Sequence, residues 1–96
     1  MKATLVYWHK ARLKEHYILE MKIHKLDRSI KYPKGVKYGL ILTNLRTNKK
    51  VLMDNHHPKG PHIHINDQEI PYQYIDEDQL INDFKTLVLK NMGVKI

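Results

Sequence analysis

Cysteine is absent from the 96 residues. That excludes a disulfide framework, a thiolate nucleophile and any zinc or iron–sulfur site built on sulfur. Glycine and proline number only four each, and no repeat, low-complexity tract or linker divides the chain. No apolar run approaches the ~20 residues a membrane span needs, and no signal-peptide core follows Met1. Acids are few, 10 against 17 Lys and Arg, for a formal charge of +7 and a pI near 9.6. With 42% hydrophobic residues the chain folds despite that charge. A chain this short buries roughly 60–65% of its unfolded surface. The expectation is one domain over 1–96, soluble and cytoplasmic, with a thin core and no deep pocket. Its basic surface favours polyanionic partners: nucleic acid, an acidic protein or anionic lipid.

The charge is unevenly placed. Residues 1–50 carry 13 Lys and Arg and 3 acids, a net of +10; residues 51–96 carry 4 Lys and 7 acids, a net of −3. Four of the seven histidines, His56, His57, His62 and His64, fall within nine residues.

The first two-thirds reads as strands. Residues 3–13 mix β-formers and bases. Residues 16–26 alternate, with Tyr17, Leu19, Met21 and Ile23 on one face and Glu20, Lys22 and His24 on the other. Ile18 interrupts the polar face, so that face is expected to be partly covered. Lys14-Glu15 would be the turn between them, although neither residue favours positive φ. Residues 27–35 form a loop around Pro33 and Gly35. Strands follow at 36–45 and 50–55, joined by a tight turn at 46–49. Residues 56–61 carry two prolines and a glycine and must loop. Short strands at 62–65 and 68–75 flank Asn66-Asp67, a dipeptide suited to a two-residue hairpin. Pro71 has no N–H for a ladder, which puts the last strand at an edge.

The end reads as a helix. Asp76 is an N-cap with Gln79 completing a capping box. Glu77 and Asp78 lie in the first turn, where the helix dipole favours negative charge. Leu80, Phe84, Leu87 and Val88 form an apolar stripe, widened by Ile81. Lys90 and Gly93 suit the C-terminal end. The expected fold is α+β: an antiparallel sheet of about five or six strands with one C-terminal amphipathic helix packed on one face. The other face is left for a ligand or partner.

The stretch from Asp54 to His64 holds the dense set of catalytic-type groups. His62 and His64 point to one side of a strand, about 6.6 Å apart along it. His57, Asp54 and Lys59 can fold over them. Three chemistries fit. In metal-free phosphodiester transfer, one His takes the 2′-hydroxyl proton while a protonated His or Lys supports phosphate and leaving group. In a metal site, His62 and His64 join a third ligand from His56, His57 or Asp54. In simple phosphate binding, Lys59, the Gly60 backbone and imidazolium groups cradle a nucleic-acid backbone. A fourth reading needs no function, since histidines on strands often make one structural hydrogen bond.

His9, His16 and His24 read as structural. Lys2, Lys10, Arg12, Lys14, Lys22, Lys25, Arg28, Lys31, Lys34 and Lys37 form either a phosphate-tracking face or a solvated sheet edge. Trp8, Tyr7, Tyr17 and Tyr38 either stack bases or pack in the core, with at least half expected in the core. Tyr72 and Tyr74 either orient a histidine or phosphate, or pack under the helix. Asp54 either orients a histidine or shapes a turn.

Several stretches resemble the TumE family of small bacterial and archaeal toxin–antitoxin toxins. They are Lys2-Ala3-Thr4-Leu5-Val6-Tyr7, Ile18-Leu19-Glu20-Met21-Lys22-Ile23 and Lys37-Tyr38-Gly39-Leu40. Asp54-Asn55-His56, Lys59-Gly60-Pro61-His62-Ile63-His64, Pro71-Tyr72-Gln73-Tyr74 and Leu80-Ile81-Asn82-Asp83-Phe84 complete the set. The order runs almost end to end. His56 stands where an acid is expected, Pro61 where Asp is frequent and Ile63 where Arg is frequent; the last weakens phosphate binding at that position. The resemblance implies a toxin neutralised by a cognate antitoxin, with RNA or ribosome-associated nucleic acid as target. Joined to the chemistry above, the expected activity is ribonuclease-like and metal-independent, with no cofactor. His62 and His64 would be base and acid in either order, with Asp54 orienting a histidine and His57 nearby. Lys59, Gly60 and Tyr72 would bind phosphate, and Lys10 and Arg12 would track RNA. A homodimer is a further candidate assembly, and no membrane is expected. The alternatives are a non-enzymatic basic module for nucleic acid or antitoxin, and a histidine-ligated metal-dependent hydrolase.

Overall fold

The computed structural model describes residues 3–96; Lys2, one of the bases expected on the N-terminal face, lies outside them. Six strands follow in chain order: β1 (Thr4–Leu13), β2 (Tyr17–Lys25), β3 (Val36–Asn44), β4 (Lys50–Asp54), β5 (His62–Ile65) and β6 (Gln68–Pro71). They form one sheet in the order β1-β2-β3-β4-β5-β6, with every neighbouring pair antiparallel. A single helix, α1 (Glu77–Met92), closes the chain. The architecture is the expected α+β arrangement.

Turn chemistry sets the registers. The β1–β2 turn holds Lys14 and Glu15 at φ 47° and 67°, a conformation both reach without glycine. It is tied down by side chains. Arg12 Nε donates to the Glu15 carbonyl at 2.9 Å and His16 Nδ1 lies 2.7 Å from the Lys14 carbonyl. His16 therefore has the structural role expected of it. In the β3–β4 turn Asn44 Oδ1 accepts from the backbone of Arg46 and Asn48 sits at φ 61°. Asn66 takes φ 56° in the two-residue β5–β6 turn. The last strand is shorter than the expected 68–75. It ends at Pro71, and Tyr72 N donates instead to the Pro61 carbonyl at 3.1 Å. Proline ends the ladder and the next residue ties to the loop before β5.

Strand alternation sorts the sheet into two faces. Leu19, Met21, Ile23, Val36, Tyr38, Leu40, Leu42, Val51, Met53 and Ile63 are buried on one, in a single core with Leu80, Phe84 and Val88 of α1 and Val94 after it. Full burial of each large apolar side chain contributes about 1.5–3 kcal/mol. Asp76 Oδ1 caps α1 by accepting from Gln79 N at 2.8 Å, and Gly93 ends it in the left-handed region at φ 67°. Buried Asn55 links the strand ends: its Oδ1 accepts from Tyr38 N and its Nδ2 donates to the Val36 carbonyl. Among the described residues no helix is long and apolar enough to cross a membrane.

The helix leaves the second face open. There Ile18, Ile41 and Leu52 are only half-buried, matching the partial cover inferred from Ile18. β1 projects beyond the core, so Tyr7 and Trp8 are exposed, Trp8 at 58%. Tyr38 is buried and Tyr17 packs on the core.

Candidate functional site

Because Ile63 is buried toward the helix, its neighbours His62 and His64 must rise on the open face. Register places the rest. His62 lies between Asp54 of β4 and Pro71 of β6; His64 lies between Leu52 and Glu69. The two imidazoles meet edge to face, centroids 4.6 Å apart at 83°.

Their environments differ. His62 is buried, and both ring nitrogens are engaged: Nδ1 at 2.7 Å from the Gly60 carbonyl and Nε2 at 3.0 Å from Asp54 Oδ1. A carbonyl only accepts, so Nδ1 carries the proton. Both His62 nitrogens are thus engaged within the protein, which leaves His62 poorly placed to exchange a proton with a substrate. His64 is half-exposed, with no ring hydrogen bond among the described residues. Of the expected pair, His64 is the one available for proton transfer. Asp54 orients a histidine as expected, and also accepts from His56 N at 3.3 Å.

Glu69 completes the cluster. Lys59 Nζ donates to Glu69 Oε2 at 3.1 Å, and this bond chiefly holds the carboxyl below the usual range, with the charges of Lys59, His64 and His62 adding to it. One ligand atom from each of His62, His64 and Glu69 lies within 4.8 Å of the others. Sequence reasoning missed Glu69 and proposed His56, His57 or Asp54 as third metal ligand. The signal was present: a two-residue turn at Asn66-Asp67 pairs Ile65 with Gln68 and hence His64 with Glu69.

Two depressions adjoin. One of about 280 Å³ is lined by Asp54, His56, His57, Lys59, His62 and His64. The other, about 460 Å³, runs over the open face past Lys22, His24, Lys37, Gly39, Leu52 and Asp54. A larger hollow of about 660 Å³ beside the start of α1 contains no histidine, and Lys25 and Glu77 on its wall pair at 3.3 Å. We place the site at the sheet face, where the proton-transfer groups are.

The other expected residues fall as follows. His57 is exposed on the loop and borders the smaller depression. Gly60, at φ 74°, contributes its carbonyl to His62, a structural use beside the phosphate-binding one expected of its backbone. Lys10 and Arg12 share the open face but sit on β1, four strands from β5, about 19 Å at normal strand spacing. There Trp8 Nε1 donates to Glu20 Oε2 at 3.0 Å, and Lys22 Nζ is 6.0 Å from the Trp8 ring centre. Tyr72 is not turned to the histidines. Its hydroxyl donates to Asp83 Oδ2 of α1 at 2.5 Å, the packing alternative of the two considered. Tyr74 stacks on Tyr38 at 5.6 Å. No family model, curated protein or solved structure matches the chain.

The arrangement offers a carboxylate held ionised, a neighbouring imidazole without a hydrogen-bond partner among the described residues, and an exposed ammonium paired with that carboxylate. That combination can move protons to and from a phosphodiester that lies across it.

Proposed function

We propose that this protein is a ribonuclease-like toxin of a toxin–antitoxin pair, cleaving RNA without a metal. The observation that carries the reading is the grouping of His64, Glu69 and Lys59 on an uncovered sheet face in a chain of charge +7. The resemblance of the Lys59–His64 stretch to TumE toxins supports the biological class.

In this mechanism an RNA phosphate draws Lys59 away from Glu69. The freed carboxylate takes the 2′-hydroxyl proton as O2′ attacks phosphorus. The P–O5′ bond breaks, and His64, carrying a proton, delivers it to O5′. The products are a 2′,3′-cyclic phosphate and a 5′-hydroxyl. His62, held by Gly60 and Asp54, fixes the orientation of His64 through their edge contact. Glu69 thus takes one of the two proton-transfer roles expected of the His62–His64 pair.

The test uses tag-free protein and RNA in EDTA. Cleavage with cyclic-phosphate ends is expected, falling by about 10²-fold or more in His64→Ala and Glu69→Gln. Growth arrest on expression should fall in the same variants. Full activity in both would refute the mechanism. A second reading, RNA or antitoxin binding without chemistry, is favoured by exposed Trp8 beside Lys10 and Arg12. Steeply salt-dependent binding with no product would support it.

A further inference from the structure

We infer that the His62–His64–Glu69 cluster is a zinc site, and that zinc there switches the proposed RNA cleavage off. The switching half rests on the ribonuclease reading; the binding half does not.

Two histidines at alternate strand positions, with a carboxylate directly opposite on the next strand, present three ligands from one side. Their ligand atoms lie within 4.8 Å of one another. A tetrahedral zinc with bonds near 2.1 Å needs about 3.4 Å between ligand atoms. The remaining contraction falls on half-exposed His64 and exposed Glu69, whose side chains can rotate, and not on buried His62. The outer contacts are those a metal-binding histidine makes. His62 donates Nδ1–H to the Gly60 carbonyl, which fixes the tautomer and presents Nε2 as the ligand atom. Asp54 Oδ1, 3.0 Å from Nε2, can share the metal or step aside. Two nitrogens and one oxygen favour a borderline ion such as zinc over magnesium or calcium, which take oxygen ligands.

Binding and catalysis compete for the same side chains. Zinc on His64 takes the one imidazole lone pair that would carry the transferred proton, and zinc on Glu69 holds the carboxylate away from the 2′-hydroxyl. Zinc on Glu69 also takes the carboxylate that Lys59 now holds at 3.1 Å.

The experiment titrates tag-free protein with zinc chloride, by calorimetry and by competition with a coloured chelator. One zinc per chain at micromolar affinity or tighter is expected, at least tenfold weaker in His64→Ala and in Glu69→Gln and unchanged in His9→Ala. No binding at that level, or equal affinity in all variants, overturns the site. RNA cleavage is then compared in EDTA and in a slight molar excess of zinc. Suppression by zinc supports the switch; equal or greater cleavage with zinc overturns it. If the protein binds zinc as described but never cleaves RNA, the ribonuclease reading and the switch fail together, while the zinc site stands.

Discussion

Replacing His62 and replacing His64 should have opposite consequences, although the residues are two apart and their rings touch. His62→Ala removes a side chain only 7% exposed, leaves the Gly60 carbonyl without its partner and strands the Asp54 carboxylate. A lost neutral hydrogen bond costs about 1 kcal/mol and one to a charged group about 1.5–3 kcal/mol. Asp54 is 24% exposed, so water restores part of the second term. With loss of ring packing, the total comes to roughly 3 kcal/mol, a large share of the 5–15 kcal/mol typical of a domain. At about 4–8 °C per kcal/mol for this size, Tm falls by roughly 12–24 °C.

His64→Ala removes a half-exposed ring whose main contact is the edge of His62. Its cost is at most about 1 kcal/mol, while cleavage should fall by about 10²-fold or more. Urea unfolding of both variants near pH 7, alongside RNA cleavage at a temperature where both are folded, separates the two effects. Asp54→Ala in the His62→Ala background should cost little more than His62→Ala alone, because the partner is already gone. If His62→Ala were as stable as His64→Ala, or if His64→Ala were the less stable of the two, the division of labour drawn from their hydrogen bonds would be wrong.

Gly39→Val should stabilise the sheet by up to about 1 kcal/mol, since a Cβ there meets nothing within 4 Å and valine suits a strand. It should also weaken RNA binding at least tenfold by filling the trough beside Asp54; unchanged binding would move the ligand off this face. The buried Tyr38 hydroxyl has no hydrogen-bond partner among the described residues. Tyr38→Phe is therefore expected to be neutral or stabilising by about 1 kcal/mol in denaturant titrations, and a clear loss would reveal a partner. Tyr38, Tyr72 and Tyr74 all have hydroxyls pushed up, first by burial; for Tyr72 the Asp83 hydrogen bond adds to it. Raised folded-state values favour the protonated form, so this stability is whole below the unfolded tyrosine value near 10 and drains away as pH rises above it. Unfolding curves from pH 9 to 11 should show that fall, and a flat profile would contradict it.

What was legible in the sequence was whatever alternation and turn chemistry dictate locally. The strands, the capped helix and the open second face all follow from positions such as Leu19-Met21-Ile23 and Asp76-Gln79. Less legible were features set by pairing between strands. Glu69 looked like an ordinary acid until register put it beside His64. Tyr72 shared strand parity with Tyr74 near the histidines, yet its hydroxyl turns to Asp83, eleven residues on, because the strand stops at Pro71. The histidines appeared equivalent because spacing alone cannot show that Gly60 and Asp54 claim both nitrogens of one of them. Lys14-Glu15 was a poor turn by residue type, and Arg12 and His16 supply the side-chain bonds that glycine would have made unnecessary.

The register also bears on what kind of ligand such a surface suits. Trp8, Lys22, Gly39, Asp54 and His62 lie in one row across five strands, and Lys10, Glu20, Ile41, Leu52, His64 and Glu69 in the next row cross all six. Gly39 is the one position in the first row without a side chain, so nothing rises from the sheet there, and the trough over it is walled by residues of β2, β3 and β4. A small metabolite would need walls to enclose it, and the helix that could have provided them lies on the opposite face. An extended polyanion needs the reverse: an open track, a stacking group and cations at one end, and reactive groups at the other. On the open face Lys10, Arg12 and Lys22 stand on the β1–β2 side, with Glu20 among them, and Asp54 and Glu69 stand on the histidine side. On that geometry the net charge of the chain matters less than its gradient along the row. Binding should thus lose more affinity from Lys10→Ala with Arg12→Ala than from any change in the histidine loop, while cleavage responds to the two regions in the opposite order.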